Sequence, residues 1–397
     1  MERILRLRLR MTIEVKSLMG EETMAKEEKK KCPKKYIFGE YAVGTECFSI
    51  VDEGRAEILG DAEGDRKIAV RMYYPVEKGA VEGKERASIF SEQKAAAIKK
   101  EYRMKEIPED MAYADYYEGV PFPEGEKFPL IMFSMGYYSY VESNTWLLCA
   151  LASYGYIVAS VGHAYEAVEN DYEDGSFDLY DRKINKMQYN GKFRAILAEK
   201  GIMGKNRSHE ESLEMLEAFQ DKYVPYIKGR VPEWEKDILK ALEAVKERYG
   251  EHIDAASGIG ASGHSLGGCL AYYLCRYNDE FACGINMDGG LFGDYPEKTM
   301  EKPFCQISCY ENINLTTRAF LNTNADTYQV VFRNMKHMGF TDAKFYIAPV
   351  FSGKLDSDEV LRHLIYIHVR FFDKYLKGLD LPFNGMKSDH IKYRKIH

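Results

Sequence analysis

Gly263-His264-Ser265-Leu266-Gly267 decides how this chain is read. The pentapeptide is a G-x-S-x-G pattern. The residues before it, Ser257 to Ser262, read as a strand, and those after it, Leu266 to Tyr277, as a helix. In that context the serine sits on a sharp strand-to-helix turn with its hydroxyl presented above the sheet. Glycines at 263, 267 and 268 remove bulk that would collide with the neighbouring strand or helix. The helix N-terminus then aims its dipole and free N–H groups at charge developing on a substrate. Ser265 is therefore expected to be a nucleophile. One feature is discordant: the segment Ser257-Gly258-Ile259-Gly260-Ala261-Ser262 is less apolar than a buried central strand usually is.

Working outward, the same rhythm of strand and helix recurs. Phe128 to Ser134 is a short apolar run of the kind buried on both faces of a parallel sheet, Thr145 to Tyr154 has helical spacing, and Tyr156 to Val161 is a second buried strand. Strands are also expected at Lys67 to Tyr74, Ala282 to Met287, Phe304 to Cys309 and Tyr328 to Arg333. Helices are expected at 88–105, 234–249 and 357–376, the last ending near Gly378 as a C-cap. Alternation of this kind predicts an α/β-hydrolase fold, with a mostly parallel central sheet covered by helices on both faces. Residues 36–397 form that domain in this reading, interrupted at about 167–232 by a helical or irregular cap segment. Within the cap one helix is expected, near 208–224, where Leu213, Leu216, Phe219 and Tyr223 make a core-facing stripe. Residues 1–35 are an N-terminal extension; apolar and polar residues alternate from Arg6 to Lys16 as in a half-buried strand.

A serine hydroxyl is a weak nucleophile at neutral pH and needs a base from elsewhere in the fold. The G-x-S-x-G class supplies its partners in the chain order serine, acid, histidine. Of the nine histidines, His163, His209, His252 and His264 come too early, His363 and His368 lie in the last long helix, and His390 and His397 fall in the tail. His337, in the loop Asn334 to Asp342, is left as the base. Two carboxylates can orient it: Asp288, after the first strand that follows the nucleophile's helix, and Glu311, after the next strand. The pattern alone does not choose between them. For the oxyanion hole the backbone N–H of Leu266 is expected to act with that of Tyr137, in the loop Phe133 to Tyr137 whose Gly136 permits close approach.

Composition bounds the rest. With 397 residues, 45% of them hydrophobic, the chain is long enough for a large core. A net charge of -7 from 55 basic and 62 acidic residues argues against nucleic acid as a partner. Eight cysteines without a C-x-x-C pair disfavour a disulfide framework or a zinc site and favour a reducing compartment. No apolar run reaches membrane-spanning length, and Arg3, Arg6, Arg8 and Arg10 break up any secretory leader. The expectation is a cytoplasmic protein with a small-molecule ester substrate and no metal or cofactor; a homo-oligomer is compatible with it.

Several segments also carry a family likeness: Gly39 to Gly44, Val70 to Pro75, Pro129 to Gly136, Ser153 to Ala159, Gly263 to Gly268, Phe281 to Asp288 and His337 to Asp342. Together they resemble the plasma and type II platelet-activating factor acetylhydrolases, within the wider dienelactone hydrolase-like esterases. The likeness spans about residues 37–165 and 234–376. It implies that Asp288 rather than Glu311 is the acid, and that the reaction is metal-independent hydrolysis of short or oxidised sn-2 acyl groups of phospholipids. Two departures argue against phospholipid specificity: Met135 stands where members usually have histidine, and the cap segment shows no obvious apolar face for membrane docking. The alternatives are a carbohydrate or xenobiotic esterase, or a peptidase, with the same triad and a pocket lined by Tyr138, Tyr140 and cap tyrosines, and a non-catalytic binding protein that retains the fold.

Overall fold

The structure, a computed structural model, describes residues 39–60, 63–203 and 206–397. The N-terminal extension and its expected strand lie outside the described residues. Two long antiparallel strands, β1 (Ala42–Ala56) and β2 (Asp65–Val76), come first. With only α-helices of nine or more residues numbered, α1 (Glu92–Tyr102) and the short β3 (Tyr117–Glu118) follow. A β-α-β unit is then built from β4 (Leu130–Ser134), α2 (Thr145–Ser153) and β5 (Ile157–Val161). A hairpin of β6 (Glu169–Asp171) and β7 (Phe177–Leu179) leads to α3 (Lys192–Ile202), α4 (His209–Tyr223) and α5 (Pro225–Tyr249). The chain returns to the sheet through β8 (Ile259–His264), α6 (Leu266–Tyr277), β9 (Phe281–Met287), β10 (Phe304–Cys309) and β11 (Thr327–Phe332). It ends with α7 (Ser357–Tyr375) and β12 (Ile391–Lys395).

Ten of these strands form one sheet in the order β12-β11-β10-β9-β8-β4-β5-β2-β1-β3. The six from β11 to β5 are mutually parallel, and antiparallel β2 and β12 flank them. Side chains alternate across it: Leu130 and Met132 pack with Trp234 of α5 and Leu270 of α6, whereas Ile131 and Phe133 pack with Leu148 of α2 and Leu364 of α7. Each large apolar side chain so enclosed contributes about 1.5–3 kcal/mol of burial free energy. The expected fold is the observed one: an α/β-hydrolase fold with a mostly parallel sheet between two helical layers. Among the described residues no helix is long and apolar enough to cross a membrane.

The weakly apolar strand before Ser265 has a packing reason. A Cβ on Gly260 would lie 2.8 Å from the Phe372 ring and 3.1 Å from Leu376, so α7 packs directly against the strand backbone. Ser262 Oγ is 3.1 Å from His368 Nε2, and His368 Nδ1–H donates to Leu364 O at 2.7 Å. Small residues were needed there, and the one hydroxyl is satisfied inside the core.

The cap segment is more ordered than its sequence suggests. Besides the expected helix at 209–223 it holds the hairpin and α3, and its last residues already belong to α5, which begins nine residues before the expected Trp234 and runs through Pro232. Pro232 lacks the N–H of a helix interior, which is why the sequence reads as a break there. In α3, Phe193 and Leu197, one turn apart, are 75% and 53% exposed among charged neighbours.

Burial of His368 has a thermodynamic consequence. Enclosure in the core lowers its pKa to about 4. Between pH 6.5 and 4 the unfolded chain therefore binds a proton that the folded state refuses, so this contribution is complete above pH 6.5 and is lost as pH falls through 4. Its size is about 3 kcal/mol. Urea titrations of the wild type and of His368→Gln are expected to show the variant losing that much less stability between pH 7 and pH 4. Parallel pH dependences of the two would contradict this account of the buried ring.

Candidate active site

Ser265 sits between β8 and α6 with φ +58° and ψ -124°. This left-handed conformation is disfavoured for any residue with a Cβ, at a cost on the order of 1–3 kcal/mol, and the flanking glycines explain how the turn is reached. A Cβ on Gly263 would lie 2.4 Å from the Gly267 carbonyl, and one on Gly267 would lie 2.1 Å from Ser134 O. Only glycine lets β4, β8 and α6 meet so closely. The turn is also tied across the sheet, because Ser265 N–H donates to Met287 O at 2.9 Å.

Three residues far apart in sequence meet here. His337 Nε2 lies 2.9 Å from Ser265 Oγ, and its Nδ1 lies 2.7 Å from Asp288 Oδ2. Asp288, with φ +59°, follows β9 and is almost fully buried. Its carboxylate accepts from Cys309 N–H at 2.8 Å and from Asn312 Nδ2 at 2.7 Å, so both oxygens are held before the imidazole is counted. Glu311 is not part of this arrangement: it pairs with Lys336, and both side chains are partly exposed. Of the two carboxylates the spacing left open, Asp288 is the one hydrogen-bonded to His337.

Tyr137 and Leu266, the expected amide donors, both line a cavity of about 260 Å³ that also takes in Ser265, His337 and Asp288. Leu266 is the first residue of α6, so its N–H lies outside the helix's own ladder. Tyr138, after Tyr137, adopts φ +58°, and its N–H is tied to Glu166 O at 2.8 Å. The cap supplies much of the wall, with Tyr189, Ile196, Met203 and Phe219, while Tyr102 comes from α1. The lining is mainly apolar and aromatic, and Glu101, Glu199 and Lys200 are its charged cap and α1 residues. Of the tyrosines expected in such a pocket, Tyr138 lines it; Tyr140 instead bonds to the Tyr346 hydroxyl at 2.6 Å.

Sequence reasoning missed one contributor nearby. Chain order rules His264 out only as the base. Its Nε2–H donates to His337 O at 3.1 Å, and the two rings lie 4.6 Å apart. Burial, and then the neighbouring His337, hold its pKa well below the usual imidazole range, so the ring is a neutral donor that fixes the main chain of the His337 loop. A histidine flanking the serine was the available signal. Asn312 and Cys309 N–H had none, since their contact with Asp288 depends on where β10 ends beside β9.

The family model for platelet-activating factor acetylhydrolase, isoform II, matches residues 24–390. The platelet-activating factor acetylhydrolase of Cavia porcellus is 24% identical over 290 residues, 68% of this chain and 62% of the relative. That of Bos taurus is 24% identical over 286 residues, 66% of this chain and 60% of the relative. The chain thus spans about three fifths of the length of these relatives. Among solved structures, a ferulic acid esterase from Streptomyces cinnamoneus superposes with a TM-score of 0.68 at 21% identity, covering 90% of this chain and 97% of that one, a likeness of fold. With a model match over nearly its whole length, this chain belongs to the platelet-activating factor acetylhydrolase isoform II family.

Proposed function

We propose that the chain is a serine hydrolase that cleaves carboxylic esters through an acyl-enzyme. The observation that carries this reading is the unbroken Ser265–His337–Asp288 hydrogen-bond chain, at 2.9 and 2.7 Å, opening into a mainly apolar cavity. Asp288 holds the imidazole with Nδ1–H toward itself, which leaves the Nε2 lone pair facing the serine hydroxyl. As Ser265 Oγ attacks the ester carbonyl, its proton passes to Nε2 and the imidazolium is stabilised by the buried carboxylate. The carbonyl oxygen becomes an oxyanion, held by the Leu266 and Tyr137 N–H groups. Collapse expels the alcohol, which takes the proton back from Nε2. Water, activated by the same nitrogen, then attacks the acyl-enzyme and frees the acid and Ser265.

Family membership directs the substrate reading to short acyl esters, including the acetyl ester of platelet-activating factor type phospholipids. A second reading rests on the aromatic wall of Tyr102, Tyr138, Tyr189 and Phe219, which suits an aromatic acyl group of a carbohydrate or xenobiotic ester. All seven described cysteines are free thiols, which supports a cytoplasmic, reducing setting.

Ser265→Ala is expected to lower kcat for p-nitrophenyl acetate by about 10⁴-fold or more and to abolish labelling by a fluorophosphonate. Asp288→Asn is expected to cost about 10⁴-fold in kcat by presenting the wrong imidazole tautomer, whereas Glu311→Gln should stay within about threefold, as a partly exposed ion pair implies. Undiminished turnover by the serine variant would exclude the mechanism, and a larger loss at Glu311 than at Asp288 would reassign the acid. For the substrate, kcat/KM on acetyl, butyryl, octanoyl and feruloyl esters should be highest for the short acyl groups; a clear preference for feruloyl would favour the aromatic reading.

A further inference from the structure

Ser134, the last residue of β4, begins a second hydroxyl–imidazole–carboxylate series. Its Oγ lies 2.9 Å from His163 Nε2, and His163 Nδ1 lies 2.8 Å from Asp237 Oδ2. Asp237 is in turn gripped by Arg66, with Nε on Oδ1 and Nη2 on Oδ2, both at 2.7 Å. The connectivity copies that of Ser265, His337 and Asp288, but Ser134 is not among the residues that line the cavity, and His163 and Asp237 are fully enclosed. Burial lowers the His163 pKa and so keeps the ring neutral. Burial alone would raise the Asp237 pKa, yet the Arg66 guanidinium and the His163 N–H outweigh it and hold the carboxylate ionised.

What Ser134 does touch is the start of the loop that carries Tyr137. The far side of that loop is anchored to the same place. Tyr138 N–H donates to Glu166 O, and the Glu166 carboxylate is fixed by Arg230 Nε and Nη2, both at 2.9 Å, and by Trp234 Nε1 at 2.8 Å. The Trp234 indole lies flat on His163, with centroids 3.6 Å apart and planes at 9°. Arg230, Trp234 and Asp237 are spaced four and three apart on α5, one face of one helix. That face therefore grips the loop at Ser134 through His163 and at Tyr138 through Glu166. Buried ion pairs of this sort are roughly neutral for stability once desolvation is counted, so overall stability does not account for them. The φ of +58° at Tyr138 is a conformation that needs outside support.

We infer that His163, Asp237 and Glu166 are positioning residues that hold the Tyr137 N–H where the oxyanion forms, with the α5 face as their scaffold. The inference rests on the ester-hydrolase reading above. Ser134→Ala should lower kcat for p-nitrophenyl acetate by about 10- to 100-fold, less than the loss of a whole donor, with KM within about twofold. Inhibition by a trifluoromethyl ketone, whose adduct occupies the oxyanion site, should weaken by the same factor. At the next link, His163→Gln retains a hydrogen-bonding group and should keep several times the kcat of His163→Leu; this pair carries the test if Ser134→Ala does not fold. Wild-type kcat in Ser134→Ala and His163→Leu overturns the inference, as does a loss seen mainly in KM. Fluorophosphonate labelling at Ser134 in the Ser265→Ala background also overturns it, since Ser134 would then be a nucleophile. Undiminished turnover by Ser265→Ala would instead remove the parent reading, and this one with it.

Discussion

The strained turn at Ser265 is the constraint around which the site is organised. A residue with a side chain is held at φ +58° because β8, β4 and α6 converge on glycines that leave no room for a relaxed path. The sheet absorbs the strain through main-chain bonds: Ser265 N–H to Met287 O at 2.9 Å, and Asp288 N–H to Ile307 O at 2.8 Å. Asp288 repeats the device one strand further on, with φ +59°. Both groups are thus raised at the same end of adjacent parallel strands, where side-chain chemistry has access to a cavity and main-chain polar groups are already paired.

His337 comes from outside this frame, and its loop is fastened accordingly. Asn144 Nδ2 donates to Phe340 O at 2.7 Å, Asp342 N–H donates to Ser143 O at 2.8 Å, and Trp146 N–H donates to Asp342 Oδ2 at 3.1 Å. These bonds moor the loop to the N-terminal end of α2, while His264 holds His337 itself from the nucleophile side. The imidazole is consequently delivered between two fixed points. A flexible loop would lose most of that pre-organisation to entropy.

The cap supplies part of the wall around the site. Its helices wall a cavity that holds Ser265, His337 and Asp288 and whose lining is mainly apolar and aromatic. Helix α3 contributes Ile196 and Lys200 to that wall, while its Phe193 and Leu197 are exposed to solvent. Beneath the cap, α5 does a different job, combining an apolar contact with the sheet and a buried row of charges against the 163–166 segment.

Much of the fold and part of the site were legible in the chain itself. The pentapeptide at 263–267 points to its serine because few other arrangements need glycine on both sides of one, and the spans read for β10 and α6, Phe304–Cys309 and Leu266–Tyr277, are the observed ones. Chain order points to His337, the histidine whose Nε2 lies 2.9 Å from Ser265 Oγ. Other features depended on contacts between distant residues, which no local pattern encodes. Asp288 and Glu311 have equivalent positions after neighbouring strands, and only the approach of the His337 loop, with Lys336 drawing Glu311 away, separates them. Helix α3 is written in mixed charges with little periodicity, and α5 runs through a proline, so packing rather than propensity determines both. The His163–Asp237 pair lies 74 residues apart in sequence, and its meaning arises where a helix face closes on a loop. Sequence therefore determined the motif around Ser265 and the alternation of strands and helices; tertiary structure decided which carboxylate, which walls and which supports surround the serine, because those are questions of direction in space.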